Sequence, residues 1–142
     1  MKINVLIADD EKEFTDTLAK RLEMRDFTVT TVYSGEAAIE MTGKINFDVI
    51  VLDVQMPGIT GIDVLKRIKN KTPLTPVIML TGEATVDNAI KGMKLGAFDF
   101  LIKPTDTENL TKKLHQANNL KNEHEERIRQ AEIENILRTR GW

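Results

Sequence analysis

Asp53 closes the apolar run Asp48 to Leu52 and opens the stretch Asp-Val-Gln-Met-Pro-Gly-Ile-Thr-Gly, so a carboxylate stands where a buried strand would emerge into a tight turn. Asp9, Asp10 and Glu11 follow the apolar run Ile3 to Ala8, Thr81 follows Pro76 to Leu80, and Lys103 follows Phe98 to Ile102. In an open parallel sheet the carboxyl ends of the strands share one edge, and ligands bind there. Such a sheet would bring carboxylates, a hydroxyl and an ammonium to one place. Two like charges about 4 Å apart repel by about 4 kcal/mol at an effective dielectric near 20. Either a carboxyl keeps its proton or a divalent cation is bound, and oxygen donors without His or Cys favour Mg²⁺. An Asp between a hydroxyl and an ammonium can attack phosphorus as a nucleophile. Phosphoryl transfer asks mainly for positioning and charge neutralisation, which this set supplies.

The elements that must position these groups are legible as short apolar or β-branched runs at Ile3 to Ala8, Phe27 to Val32, Asp48 to Leu52, Pro76 to Leu80 and Phe98 to Ile102. They are too apolar for strands with one wet face. Between them lie helical spacings: Phe14, Leu18 and Leu22; Ala37, Ala38 and Met41; Ile62, Leu65 and Ile68; Val86, Ile90, Met93 and Leu95. Regular alternation with right-handed crossovers predicts an α/β, doubly wound parallel sheet with helices on both faces. Gly43, Gly61, Gly96, Pro73 and Pro76 stand where turns or caps are expected.

From about Thr107 the pattern is one long helix without Gly or Pro until Gly141. Leu110, Leu114 and Ala117 have the spacing to pack on the sheet, whereas Asn118 to Arg140 is mostly charge and amide with Ile128, Ala131, Ile133, Ile136 and Leu137 as its apolar remnant. A helix from Thr107 to Thr139 would run roughly 50 Å. It should project beyond the sheet, either as a contact element or as a solvated tail, and its stripe is too irregular for a heptad assignment.

The 142 residues suit one domain and an appendage. Without cysteine there are no disulfides, thiolate nucleophiles or zinc–thiolate sites. The opening residues do not have the layout of a secretory signal, and no run reaches membrane-spanning length, so a cytoplasmic protein without membrane contact is expected. A formal net charge of −2 with mixed signs offers no basic field for nucleic acid and favours a protein partner.

Each residue alone has a plain structural reading: Asp10 or Glu11 as a helix cap, Asp53 as a turn residue, Thr81-Gly82 as a cap, Lys103-Pro104 as a loop. Together they resemble the receiver domains of two-component response regulators. The resemblance spans about Lys2 to Asn119 and rests on Asp9-Asp10 after the first strand, Asp53-x-x-Met56-Pro57 with Gly61 after the third, Thr81-Gly82 after the fourth and Lys103-Pro104 after the fifth. It implies a flavodoxin-like sheet of strand order 2-1-3-4-5, whose switch point lies between the first and third strands. It divides the chain into a receiver domain, 1–119, and a charged helical extension, 120–142, serving as linker, dimerisation element or partner helix.

Position by position, the resemblance implies that Asp53 takes a phosphoryl group from the phosphohistidine of a sensor histidine kinase or a histidine phosphotransfer protein. Asp10 and Asp53 would ligate Mg²⁺ through side chains, Gln55 through its backbone carbonyl and Asp9 mainly through water, with Glu11 outside the pair as a cap. Lys103 would pair with a phosphoryl oxygen, and Thr81 would turn inward to donate to another. Phe100 stands where the family has its switch aromatic, and Lys103-Pro104 is expected to be cis. The surface of the fourth helix, fifth strand and fifth helix would then control a downstream protein or an output domain. Such a protein catalyses only its own phosphorylation and dephosphorylation. Gln55 and Glu83 would flank the path of attacking water. His115 and His124 are expected as exposed helix positions, and Trp142 has no assignable role.

Two other classes compete. A phosphatase of the haloacid dehalogenase type also uses an Asp nucleophile and Mg²⁺, but it needs Asp-x-Asp after the first strand, where this chain has Asp9-Asp10-Glu11. A flavodoxin would need a hydroxyl-rich phosphate loop at that place, where these acids would repel the cofactor phosphate.

Overall fold

A computed structural model describes residues 2–82 and 86–140. Its elements alternate as β1 (Ile3–Ala8), α1 (Lys12–Glu23), β2 (Phe27–Val32), α2 (Gly35–Lys44), β3 (Val49–Leu52), α3 (Gly61–Lys71), β4 (Val77–Thr81), α4 (Val86–Lys94), β5 (Asp99–Ile102) and α5 (Thr107–Thr139). The strands form one five-stranded sheet in the order β2-β1-β3-β4-β5, with every pair parallel. This is the expected flavodoxin-like fold with a long final helix.

The unbroken apolar runs have a direct cause in the pleat, since successive side chains point to opposite faces and both faces are covered. Leu6, Ala8, Ile50, Leu52, Val77 and Met79 enter one core with Ala38, Ile62, Val64, Leu65 and Ile68 of α2 and α3. Val5, Ile7, Val49, Val51, Ile78 and Leu80 enter the other with Leu18, Ala19 and Leu22 of α1 and Leu110, Leu114 and Ala117 of α5. Each fully buried large side chain stabilises the fold by about 1.5–3 kcal/mol. β5, at the edge, is only half-buried.

Several boundaries differ from the sequence reading. Asp48, Pro76 and Phe98 precede their strands. Asp48 instead uses its carboxylate to accept the Asn4 backbone N–H (2.8 Å) and the Lys121 ammonium (3.2 Å), and Pro76 has no N–H to give a ladder. Thr81 is the last residue of β4 and does not follow it, because its carbonyl still accepts the Lys103 N–H at 2.7 Å. Gly43 lies inside α2, whose end is set one residue later by Ile45 in extended backbone. His115 is exposed, its ring 5.2 Å from that of Phe27, but His124 is half-buried in a groove it shares with Phe98, Leu120 and Lys121. Lys121 is buried too: its ammonium reaches over Asp48 and the Phe47 carbonyl, so α5 stays fastened to the sheet beyond Asn119. Past Glu125 every described residue is exposed, including Ile128, Ile133, Ile136 and Leu137. No described helix is long and apolar enough to cross a membrane.

Candidate functional site

From β1 the chain crosses to β2 on one side, whereas β3 continues the sheet on the other, so the loops after β1 and β3 part and leave a crevice at the carboxyl edge. Ala8 pairs with Leu52, and the ladder carries one step further as the Asp53 N–H donates to the Ala8 carbonyl at 2.9 Å. Asp9 and Asp53 therefore emerge side by side. On the far side Thr81 pairs with Ile102, which sets Lys103 beside the end of β4. The bond between Lys103 and Pro104 is cis, as expected.

The loop after Asp53 turns back on itself. Gly58 has φ of +80°, a left-handed conformation that glycine adopts without strain, and the Gly61 N–H donates to the Val54 carbonyl at 2.8 Å. A Cβ at Gly61 would lie 1.9 Å from the Asp53 carbonyl oxygen, so only glycine allows α3 to start this close to the acidic residue. Thr60 caps α3 by accepting the Asp63 N–H at 3.3 Å.

Carboxylate oxygens of Asp9, Asp10 and Asp53 lie within 4.8 Å of one another, with Asp10 exposed and the other two buried. Asp9 has both oxygens engaged: Oδ1 accepts the Glu11 backbone N–H at 2.9 Å, and Oδ2 meets the Lys103 ammonium at 2.6 Å. Asp53 is held more loosely, with Oδ1 3.4 Å from the Gln55 N–H and Oδ2 3.8 Å from Lys103 Nζ. Burial, reinforced by the neighbouring charge of Asp9, pushes the Asp53 carboxyl from its ordinary 3.8 up to about 7, against the opposing pull of Lys103. Burial likewise opposes the charge on Lys103, but hydrogen bonds to Asp9 and Glu11 and the charges of Asp53 and Asp9 raise its pKa overall. A cluster that holds a carboxylate back from ionising, with oxygen donors only, fits a hard divalent cation.

Thr81 is buried at the end of β4. Phe100 is half-buried on the core shared with Met79, its ring 3.7 Å from where a Gly92 Cβ would stand. Near it the expected output face exposes Val86, Ile90, Met93 and Ile102. Glu83 and Trp142 lie outside the described residues. Two neighbours of Lys103 were not singled out as such by the sequence reading. Glu11, expected only as a cap, makes no side-chain cap bond and instead pairs with Lys103 at 2.9 Å. The Phe14 ring lies 4.5 Å from the same ammonium. The run of three acids was the available signal for Glu11; nothing local pointed Phe14 at a lysine.

The family model for the response regulator receiver domain matches residues 5–115. The chain belongs to that family. Among curated relatives of this receiver domain, the transcriptional regulatory protein CpxR of Escherichia coli (strain K12) is 38% identical over 110 residues, which are 78% of this chain and 47% of that protein. The transcriptional regulatory protein FixJ of Bradyrhizobium diazoefficiens is 35% identical over 116 residues, 82% of this chain and 57% of that one. This chain thus spans about half the length of the curated relatives it matches. A receiver domain structure from Clostridium thermocellum superimposes with a TM-score of 0.80 at 36% identity, covering 84% of this chain and 97% of that chain. The haloacid dehalogenase reading is not favoured by these matches.

Proposed function

We propose that this receiver domain of a two-component system is switched by phosphorylation of Asp53. The observation that carries the reading is the meeting of Asp9, Asp10 and Asp53 within 4.8 Å beside the Lys103 ammonium, on loops from three strands. An Asp53 carboxylate oxygen attacks phosphorus of a phosphohistidine on a sensor histidine kinase or a histidine phosphotransfer protein. The P–N bond breaks, its electron pair stays on the imidazole nitrogen, and solvent supplies the proton. Attack of water on that phosphorus then breaks its bond to the Asp53 oxygen, releasing inorganic phosphate and returning the carboxylate, so the chain turns over only its own modification.

Asp10 and Asp53 by side chain, Gln55 by backbone carbonyl and Asp9 through water would hold Mg²⁺, which supplies charge neutralisation to the phosphoryl oxygens. The two occupied oxygens of Asp9 support its indirect role. Phosphorylation brings roughly −1.5 to −2 charges and three acceptor oxygens. Lys103 pairs with one of these oxygens, and the Thr81 hydroxyl donates to another. Movement of Thr81 frees space toward which Phe100 repacks, and because its ring has no hydroxyl, packing alone reports the state. The exposed apolar residues of α4 and β5 then meet a downstream protein or an output domain.

The receiver unit is 1–119 in this reading. The extension, 120–142, carries the state onward as linker, partner helix or homodimer contact through its exposed Ile128, Ile133, Ile136 and Leu137. The place of action is the cytoplasm, without membrane attachment, and any DNA contact belongs to a separate output domain, in keeping with the names of CpxR and FixJ. The test is incubation with a small phosphodonor and Mg²⁺ followed by intact-mass measurement. Wild type gains one phosphoryl group and Asp53→Ala gains none; labelling that persists in the variant would move the acceptor elsewhere.

A further inference from the structure

Lys103 rests against partners that differ from those its proposed task requires. Its side chain is 8% exposed and its ammonium touches three acids unequally: Asp9 at 2.6 Å, Glu11 at 2.9 Å and Asp53 at 3.8 Å. The first two are hydrogen-bond distances and the third is not. Phe14 closes another side at 4.5 Å. The ammonium is therefore drawn off the acceptor carboxylate by two anions.

These two anions are not equivalent. Asp9 is buried, and its other oxygen is fixed by the Glu11 N–H, so releasing Lys103 would strand a desolvated charge. The Glu11 side chain is 63% exposed, and water replaces the lysine at little cost. Glu11 is also the N-cap residue of α1 without using its side chain to cap, so the carboxylate has no other bond among those described. A phosphoryl oxygen on Asp53 that recruits Lys103 has to compete with Glu11.

Resting on the reading of Asp53 as phosphoacceptor, we propose that Glu11 is a positioning residue, a releasable latch that holds Lys103 away from Asp53 until a phosphoryl group replaces it as partner. The latch works through reach. Glu11→Gln removes the charge, whereas Glu11→Asp keeps the charge but shortens the side chain by one methylene and brings it out of contact.

The experiment follows labelling by phosphoramidate with Mg²⁺, in which the P–N bond breaks, the leaving nitrogen departs as ammonia and an oxygen of Asp53 is phosphorylated. It also records the ¹⁵Nζ resonance of Lys103 in protein freed of metal with EDTA, a readout independent of the reaction. Both variants are expected to shift that resonance alike and to label roughly twofold to fivefold faster than wild type, the span corresponding to one exposed ion pair. If Glu11→Asp matches wild type while Glu11→Gln is faster, a general field effect on the anionic donor is at work and the latch is refuted. Unchanged rates and resonances in both variants refute it as well. Wild type that takes no label at Asp53 overturns the proposed function itself, and the latch with it.

Discussion

Replacing Asp53 by Asn isolates the cost of keeping a carboxylate in this site. Its folded-state pKa, about 7, lies above its ordinary 3.8, first because of burial and then because of Asp9. Between these values the folded protein binds more protons than the unfolded chain, so stability falls as pH rises through the window and the full penalty applies above about pH 7. At about 1.36 kcal/mol per pH unit, the interval from 3.8 to about 7 amounts to about 4 kcal/mol. That is a ceiling, because water entering the open edge of the site screens part of the burial and repulsion. We expect roughly 2 kcal/mol of added stability for Asp53→Asn at about pH 8 in EDTA, close to half the linkage value. Near pH 4, where wild-type Asp53 is protonated, the gain should vanish. For a chain of this size the gain corresponds to a melting temperature about 4–8 °C higher. Urea titrations of both proteins from pH 4 to pH 8 in EDTA give the comparison. Adding Mg²⁺ at pH 8 should narrow the gap, since a ligand that binds only the folded wild type stabilises it. A stability difference between variant and wild type that is the same at pH 4 and pH 8, or a variant no more stable than wild type at pH 8, would refute the account of burial and repulsion.

Two further substitutions probe how the scaffold sets the site. Gly61→Ala forces a Cβ to 1.9 Å from the Asp53 carbonyl oxygen and 2.8 Å from Val54 Cα, so α3 must move away; a loss of about 3 kcal/mol in urea denaturation is expected, and an unchanged midpoint would show that the loop yields freely. Lys121→Ala removes a buried ammonium from Asp48 (3.2 Å) and the Phe47 carbonyl (3.5 Å), and should cost about 1–3 kcal/mol and raise amide exchange in the last packed turns of α5, whereas unaltered exchange would show that Leu110, Leu114 and Ala117 alone hold the helix.

The sheet and the grouping of most candidate site residues were legible in the chain because both depend on local features. A strand covered on both faces has no polar alternation, so Ile3–Ala8 and Val49–Leu52 read as continuous apolar runs, and parallel order places whatever follows each run at one edge. Residue type then marked Asp9, Asp10, Asp53, Thr81 and Lys103 as candidates, and the fold brings the three acids and the lysine together. Boundaries were less legible, since Asp48 left its strand to meet Asn4 and Lys121, partners that no nearby residue reveals.

What only the folded chain decided is which atoms touch. Lys103 and Glu11 are 92 positions apart, and their contact follows from the sheet order and the pitch of α1, neither of which leaves a local trace. The same holds for the two engaged oxygens of Asp9, for the half-buried His124 and for a lysine beyond Asn119 that is buried against the sheet. Secondary structure and the gathering of groups are written in periodicity and residue type, which act over a few residues. Partner choice at 2.6 to 3.8 Å is set by packing between distant segments, where a shift of one ångström exchanges one acid for another.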